Sequence, residues 1–264
     1  MFRVSHDFLN EFPMAKSELP SIDSVALWYV ETGLSRAQFA ACESVLSEEE
    51  RSRADSFHFE KDRRQFVVAR GSLRYLLGSL LSTEAVEIEF EYGVFGKPLL
   101  KAGEGIGGGI PFNLAHSGPH VLIGVSPNLE MGVDLEALGP GEIRMAPLVK
   151  NICTPKEAAW VEGLGVQEKE RALSRLWTAK EAILKAIGSG FQIPPDEVEI
   201  AEPLLHGKGG PFEATILAKG NDKRVNVLPM PEFESEYRCS AALAVASTAG
   251  AESVRIDRRG LLWE

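Results

Sequence analysis

The stretch MGVDLE, Met131 to Glu136, constrains this chain more tightly than any other. In an extended strand, alternate side chains point to the same face. Val133 and Leu135 therefore enter a core, while Asp134 and Glu136 stand together on the opposite face, about 7 Å apart. Like charges so placed repel unless something positive lies between or beside them. The fold has to deliver that partner, a divalent cation or a basic side chain, to one face of a half-buried strand.

The segment before it, HVLIGVS (120–126), also reads as a strand, and the turn residues Pro127 and Asn128 predict that the two pair as a hairpin. Residues 23–32 (DSVALWYVET) form an early strand. In LSEEERSRADSF, Ser47 is an N-cap, and the three Glu that follow suit the positive end of a helix. From Asp62 to Leu81, Phe66, Ala69, Leu73, Leu77 and Leu80 recur at three- and four-residue steps, the mark of an amphipathic helix. FEYGVFGKPLLKAGEGIGGGIPF reads mostly as loop. Its GEGIGGG run is followed by no P-loop Lys-Ser/Thr and fits no dinucleotide fingerprint, so it reads as a flexible connector.

Beyond Pro140, helices are expected around 145–152, 155–162 and 168–187, with Thr154 capping the second ahead of Pro155. VNVLPM and YRCSAALAVAS supply further strands. Each half thus holds strands and one long amphipathic helix. This α+β plan suggests a duplicated unit, with halves 1–128 and 129–264 meeting at the turn near 127–130.

The 38 Asp and Glu against 28 Lys and Arg give a net charge of −10, which argues against a nucleic-acid binder. An acidic partner would have to dock on a local basic or apolar patch. Basic residues crowd into one segment (Arg51, Arg53, Lys61, Arg63, Arg64, Arg70, Arg74), diluted by Glu48, Glu49, Glu50, Glu60 and Asp62. No apolar run approaches membrane-spanning length, and MFRVSHDFLNEFPMAK lacks a signal-peptide pattern. Cys42, Cys153 and Cys239 are widely spaced, odd in number and in no metal-type cluster, and read as reduced thiols of a cytoplasmic protein.

Two further stretches carry chemistry. In WTAKEAILKAIGSG, Glu181 and Lys185 lie four apart on one helical face, with Trp177 a turn earlier; alone, that spacing describes a common surface ion pair. FNLAHSG (112–118) places Asn113, His116 and Ser117 at the mouth of an apolar strand. In their order and spacing, FNLAHSG, GVDLE and WTAKEAILKAIGSG resemble the motif series of the Sfp-type 4′-phosphopantetheinyl transferases. RRQFVVARGSLRYLLG and GVFGKP also resemble family positions, so the likeness spans residues 46–191. One departure is Ala115, where the family often has Ser before the histidine. If that serine contacts the cofactor, its loss costs on the order of 1 kcal/mol.

The resemblance implies a pseudo-dimer of two similar α+β halves, monomeric, with coenzyme A in the cleft between them. It implies transfer of 4′-phosphopantetheine from coenzyme A to a serine of an acyl, peptidyl or aryl carrier protein, releasing adenosine 3′,5′-bisphosphate. Asp134, Glu136 and Glu181 would bind Mg²⁺, whose preference for hard oxygen ligands shared with phosphate suits that set. Glu181 would also be the general base, and Lys185 would steady or protonate the leaving group. His116, Arg53, Lys61, Arg64, Arg70 and Lys97 would meet phosphates of coenzyme A. The alternative is a catalytically weakened module that binds coenzyme A or a carrier. It would ordinarily lack one of the three acids, and all are present. An unrelated Mg²⁺-dependent phosphoryl-transfer enzyme would leave FNLAHSG unexplained.

Overall fold

Runs such as VALWYV and HVLIGV are apolar at successive positions, so both faces of their strands must be covered. The chain satisfies this by stacking helix, sheet, sheet and helix. A computed structural model describes residues 19–20, 24–93, 96–101, 109–138, 145–188, 193–200, 212–217, 224–247 and 255–259. The first half contains β1 (Ser24–Glu31), α1 (Arg36–Ser44), α2 (Glu48–Asp55), α3 (Glu60–Leu81), β2 (Phe90–Tyr92), β3 (Pro98–Leu100), β4 (Phe112–Ser117) and β5 (His120–Val125). The second contains β6 (Glu130–Ala137), α4 (Met145–Ile152), α5 (Pro155–Glu162), α6 (Val166–Ile187), β7 (Val198–Glu199), β8 (Phe212–Ile216), β9 (Arg224–Pro229) and β10 (Cys239–Ser247), and is followed by β11 (Arg255–Arg259).

The two large sheets run β11-β1-β5-β4 and β6-β10-β9-β8-β7. Helix α3 covers the outer face of the first through Leu73, Leu76 and Leu77 against Trp28, Val30 and Ile123. Leu27, Tyr29 and Leu122 meet Val133, Leu135 and Leu243 between the sheets. Helix α6 covers the outer face of the second, with Leu176 and Ile183 against Val225, Val227 and Ala244. The duplication expected from sequence is present in the topology. In β1-β5-β4 and β6-β10-β9 alike, the half's first strand pairs antiparallel with its last, which pairs antiparallel with the strand before it. Each triplet carries a 22-residue helix, α3 or α6. The fold is α+β in two similar parts.

The expected hairpin of 120–126 with MGVDLE does not form. β5 is a central strand whose edges are both taken, by β1 and β4, so β6 pairs with β10 in the other sheet instead. The turn therefore passes the chain between sheets. Ser126 Oγ pins the crossing, donating to Ser24 O at 2.8 Å and accepting from Leu129 N–H at 3.1 Å.

Helix α3 is more buried than its amphipathic pattern implies. Between Phe66 and Gly78 only Tyr75 escapes full burial, because α1, which the sequence reading does not anticipate, lies across its other side. A Cβ at Gly71 would stand 2.6 Å from the Cys42 Cα of α1, so the two helices touch through backbone. Arg74 in that interior pairs with Glu50 of α2 at 2.6 Å. The segment read as loop contributes the β2-β3 ribbon, while residues 102–108, most of GEGIGGG, lie outside the described residues. Ser47 and Thr154 cap α2 and α5 as expected. β11 returns to pair parallel with β1 in the first sheet. Among the described residues no helix is long and apolar enough to cross a membrane.

Candidate active site

The site is built where α6 lies on β6. Gly132 makes the contact: a Cβ there would stand 2.1 Å from Ala182 O and 2.5 Å from Ala186 N. Without a side chain in the way, the helix settles directly on the strand. The half-buried stripe Trp177, Glu181, Lys185, spaced four apart, then faces the acidic side of MGVDLE. Val133 and Leu135 point into the core between the sheets, as the alternation requires.

Lys185 Nζ donates to Asp134 Oδ1 at 2.5 Å and to Val133 O at 3.3 Å. A basic side chain thus lies beside the paired acids. Asp134 is 6% exposed, and burial pushes its carboxyl up to about 7; Lys185 opposes this, while Glu136 and Glu181 add to it. Burial also raises the Glu181 carboxyl, with Lys185 working against it and Glu136 with it. Asp134 Oδ2 and Glu181 Oε1 are buried with no hydrogen-bond donor. Each Glu136 oxygen accepts one hydrogen bond, Oε1 from Trp177 Nε1 at 2.9 Å and Oε2 from Ser117 Oγ at 2.8 Å.

Strand β4 sorts the residues of FNLAHS by its two-residue period. Asn113, Ala115 and Ser117 face the second sheet. Asn113 Oδ1 accepts from Val133 N–H at 2.8 Å, and Ala115 is buried in the core between the sheets. The departure at Ala115 therefore falls in an apolar layer. Phe112 and Leu114 face α3, and His116 ends that side of the strand in an exposed position. Protein crowded around the imidazole lowers its pKa, and Lys185, Arg53 and Arg70 push the same way.

The remaining basic candidates are distributed unevenly. Lys97 reaches from the first half to the second, donating to Lys185 O at 3.0 Å and Met131 O at 3.3 Å. Arg70 is buried, 3.3 Å from Glu50, with its guanidinium over the Phe90 ring and Nη1 lacking a hydrogen bond. Burial lowers its pKa. Arg53 is exposed over the Phe66 ring. Arg64 donates to Thr32 O at 2.8 Å and Leu34 O at 2.5 Å, tying α3 to the loop after β1. Lys61 lies over the Phe59 ring. The structure thus gathers Asp134, Glu136, Glu181 and Lys185, with Lys97 and His116 beside them, and engages Arg64 and Lys61 elsewhere.

Among the described residues no three acidic, histidine or cysteine side chains are close enough as placed to hold a metal ion. The donor set nonetheless suits a hard divalent cation. It offers three carboxylates, two of them with a buried oxygen that no donor serves, and their mutual repulsion is only partly offset by Lys185.

Sequence reasoning missed two buried acids. Glu157 accepts from Lys180 Nζ at 2.6 Å, and that lysine also donates to Ile152 O and Pro195 O. Lys180 of WTAKEA is therefore an internal pivot that fixes α6 against its surroundings. Glu50 serves Arg74 and Arg70 in the same way. The available signal was the capping-box spacing of Ser47 with Glu50 and Thr154 with Glu157.

The family model described as "4′-phosphopantetheinyl transferase, N-terminal" matches residues 34–128, and that of the 4′-phosphopantetheinyl transferase superfamily matches residues 130–241. The 4′-phosphopantetheinyl transferase HetI of Nostoc sp. is 36% identical over 180 residues, which are 68% of this chain and 74% of that protein. The 4′-phosphopantetheinyl transferase gsp of Aneurinibacillus migulanus is 25% identical over 73% of this chain and 78% of its own. The L-aminoadipate-semialdehyde dehydrogenase-phosphopantetheinyl transferase of Homo sapiens is 27% identical over 75% of this chain and 67% of its own.

Proposed function

The chain belongs to the 4′-phosphopantetheinyl transferase superfamily and is an enzyme of that class, and we propose that it transfers 4′-phosphopantetheine from coenzyme A to a serine of an acyl, peptidyl or aryl carrier protein. Adenosine 3′,5′-bisphosphate leaves. The observation that carries this reading is the convergence of Asp134, Glu136, Glu181 and Lys185 where α6 meets β6, with Lys97 and His116 brought in from the other half. Coenzyme A lies between the halves 1–128 and 129–264, in a monomer that supplies both walls. The three buried free cysteines fit a reducing cytoplasm.

In this reading the carrier serine Oγ attacks the phosphorus next to the pantetheine, and the bridging P–O bond to the nucleotide breaks. Glu181 takes the serine proton, directly or through a water. Lys185 faces the bridging oxygen and offsets its negative charge as it leaves. His116, Lys97, Arg53 and Arg70 hold the phosphates. Asp134, Glu136 and Glu181 would hold Mg²⁺. Bound there, it neutralises charge on the diphosphate during transfer.

Replacing Asp134 with Ala or Glu181 with Gln is expected to leave the circular dichroism spectrum intact and to slow transfer by about 10²-fold or more. Wild-type rates in both variants would sink the reading.

A further inference from the structure

We propose that Ser117 and Trp177 are positioning residues that hold the Glu136 carboxylate from opposite halves of the molecule and thereby set the site's affinity for a divalent cation. The inference rests on the proposed function and adds to it two residues that touch neither metal nor substrate.

The geometry is specific. Both Glu136 oxygens accept from neutral donors, Oε1 from the Trp177 indole at 2.9 Å and Oε2 from the Ser117 hydroxyl at 2.8 Å. Neutral donors fix the carboxylate plane without cancelling its charge. A carboxylate has about four lone-pair sites, so two remain for a cation after these bonds are made. Asp134, by contrast, already faces the Lys185 ammonium. Of the paired acids, Glu136 is thus oriented with its charge uncompensated by a salt bridge.

Ser117 carries a second constraint. Its Oγ accepts from Ala137 N–H at 3.1 Å, so the hydroxyl proton is directed to Glu136. Four residues earlier, Asn113 Oδ1 accepts from Val133 N–H at 2.8 Å. β4 and β6 are not hydrogen-bonded neighbours in either sheet. Side chains at 113 and 117 serve N–H groups at 133 and 137, in place of a backbone ladder. This seam fixes the height of the acidic strand relative to the first half, and Trp177 on α6 closes the clamp from the second. Groups that orient metal ligands in this way affect affinity on the order of 10-fold or more when removed.

The test uses the full chain loaded with coenzyme A and no carrier, titrated with Mn²⁺ by calorimetry, and then the Mg²⁺ concentration giving half-maximal transfer. Trp177→Phe keeps the aromatic ring and loses the N–H. Ser117→Ala loses the hydroxyl, and Ser117→Thr restores it. Both loss variants are expected to weaken Mn²⁺ binding and to raise the Mg²⁺ requirement on the order of 10-fold, with the KM for carrier unchanged. Ser117→Thr should recover most of the loss. In a Glu136→Gln background, Trp177→Phe should add nothing further, since the two act as one unit. Wild-type Mn²⁺ affinity in both loss variants, or multiplying effects in the double variant, would overturn the inference while leaving the proposed function standing. Should the wild-type protein neither bind Mn²⁺ nor transfer, the proposed function fails and the inference fails with it.

Discussion

At the scale of single residues, Gly132 decides whether a site exists. Any Cβ there collides with the backbone of α6 at Ala182 and Ala186, and backbone yields less readily than the end of a side chain. Gly132→Ala is expected to cost about 1–3 kcal/mol of stability, the usual range for overpacking. It should also slow transfer by more than the lost stability explains, because Glu181 and Lys185 move away from Asp134. Chemical denaturation and initial rates on the same preparation check this; unchanged values for both would contradict it. The cysteines make a second case. Burial pushes Cys42 and Cys239 up to about 12 and Cys153 up to about 11. The native chain therefore keeps thiol protons that the unfolded chain releases near pH 9. The unfolding free energy falls as pH rises from about 9 through those values. Iodoacetamide at about pH 8.5 should label none of the three thiols in the native protein and all three in denaturant; a native thiol that labels would refute their burial. The acids and Lys185 were legible in sequence, because local periods of two and four residues put each on a defined face. Lys180 and Glu50 were not, because their partners are 23 and 20 or more residues away.

At the scale of elements, strand β4 holds the two sheets in register, and here sequence reading was weakest. The hairpin expected of β5 and β6 rested on a short turn between two apolar strands. That pattern gives proximity along the chain and says nothing of which strand edges are already occupied. The burial of α3 escaped for a related reason: the covering helix α1 is nine residues long with Phe39 as its one large apolar side chain, and Gly71 reveals its packing role only when Cys42 is seen against it. Asn113 looked like a polar residue near a site, yet its carbonyl satisfies a buried backbone N–H at Val133. Asn113→Ala should leave that N–H unpaired and cost about 1–3 kcal/mol. Hydrogen exchange at Val133 is expected to accelerate more than in the rest of β6. Equal protection along the strand would contradict the seam.

At the scale of the whole molecule, one α+β unit occurs twice, and the copies have diverged in charge. The first half brings Lys97 and His116 beside Lys185; the second brings Asp134, Glu136 and Glu181. Neither could perform the proposed transfer alone, since one set suits phosphate and the other a cation. With a net charge of −10 the chain has no long-range attraction for an acidic partner, which could dock only on local basic or apolar surface. The duplication was visible in outline from sequence, because each half carries one long periodic helix. The sheet order that establishes it depends on non-local pairing and was not. The most direct test is intact-mass measurement of a panel of apo carrier proteins incubated with the enzyme, coenzyme A and Mg²⁺, with parallel samples in EDTA. We expect at least one carrier to gain the mass of a single phosphopantetheine, and to gain nothing in EDTA. No gain on any carrier, from protein that still binds coenzyme A, would contradict the account.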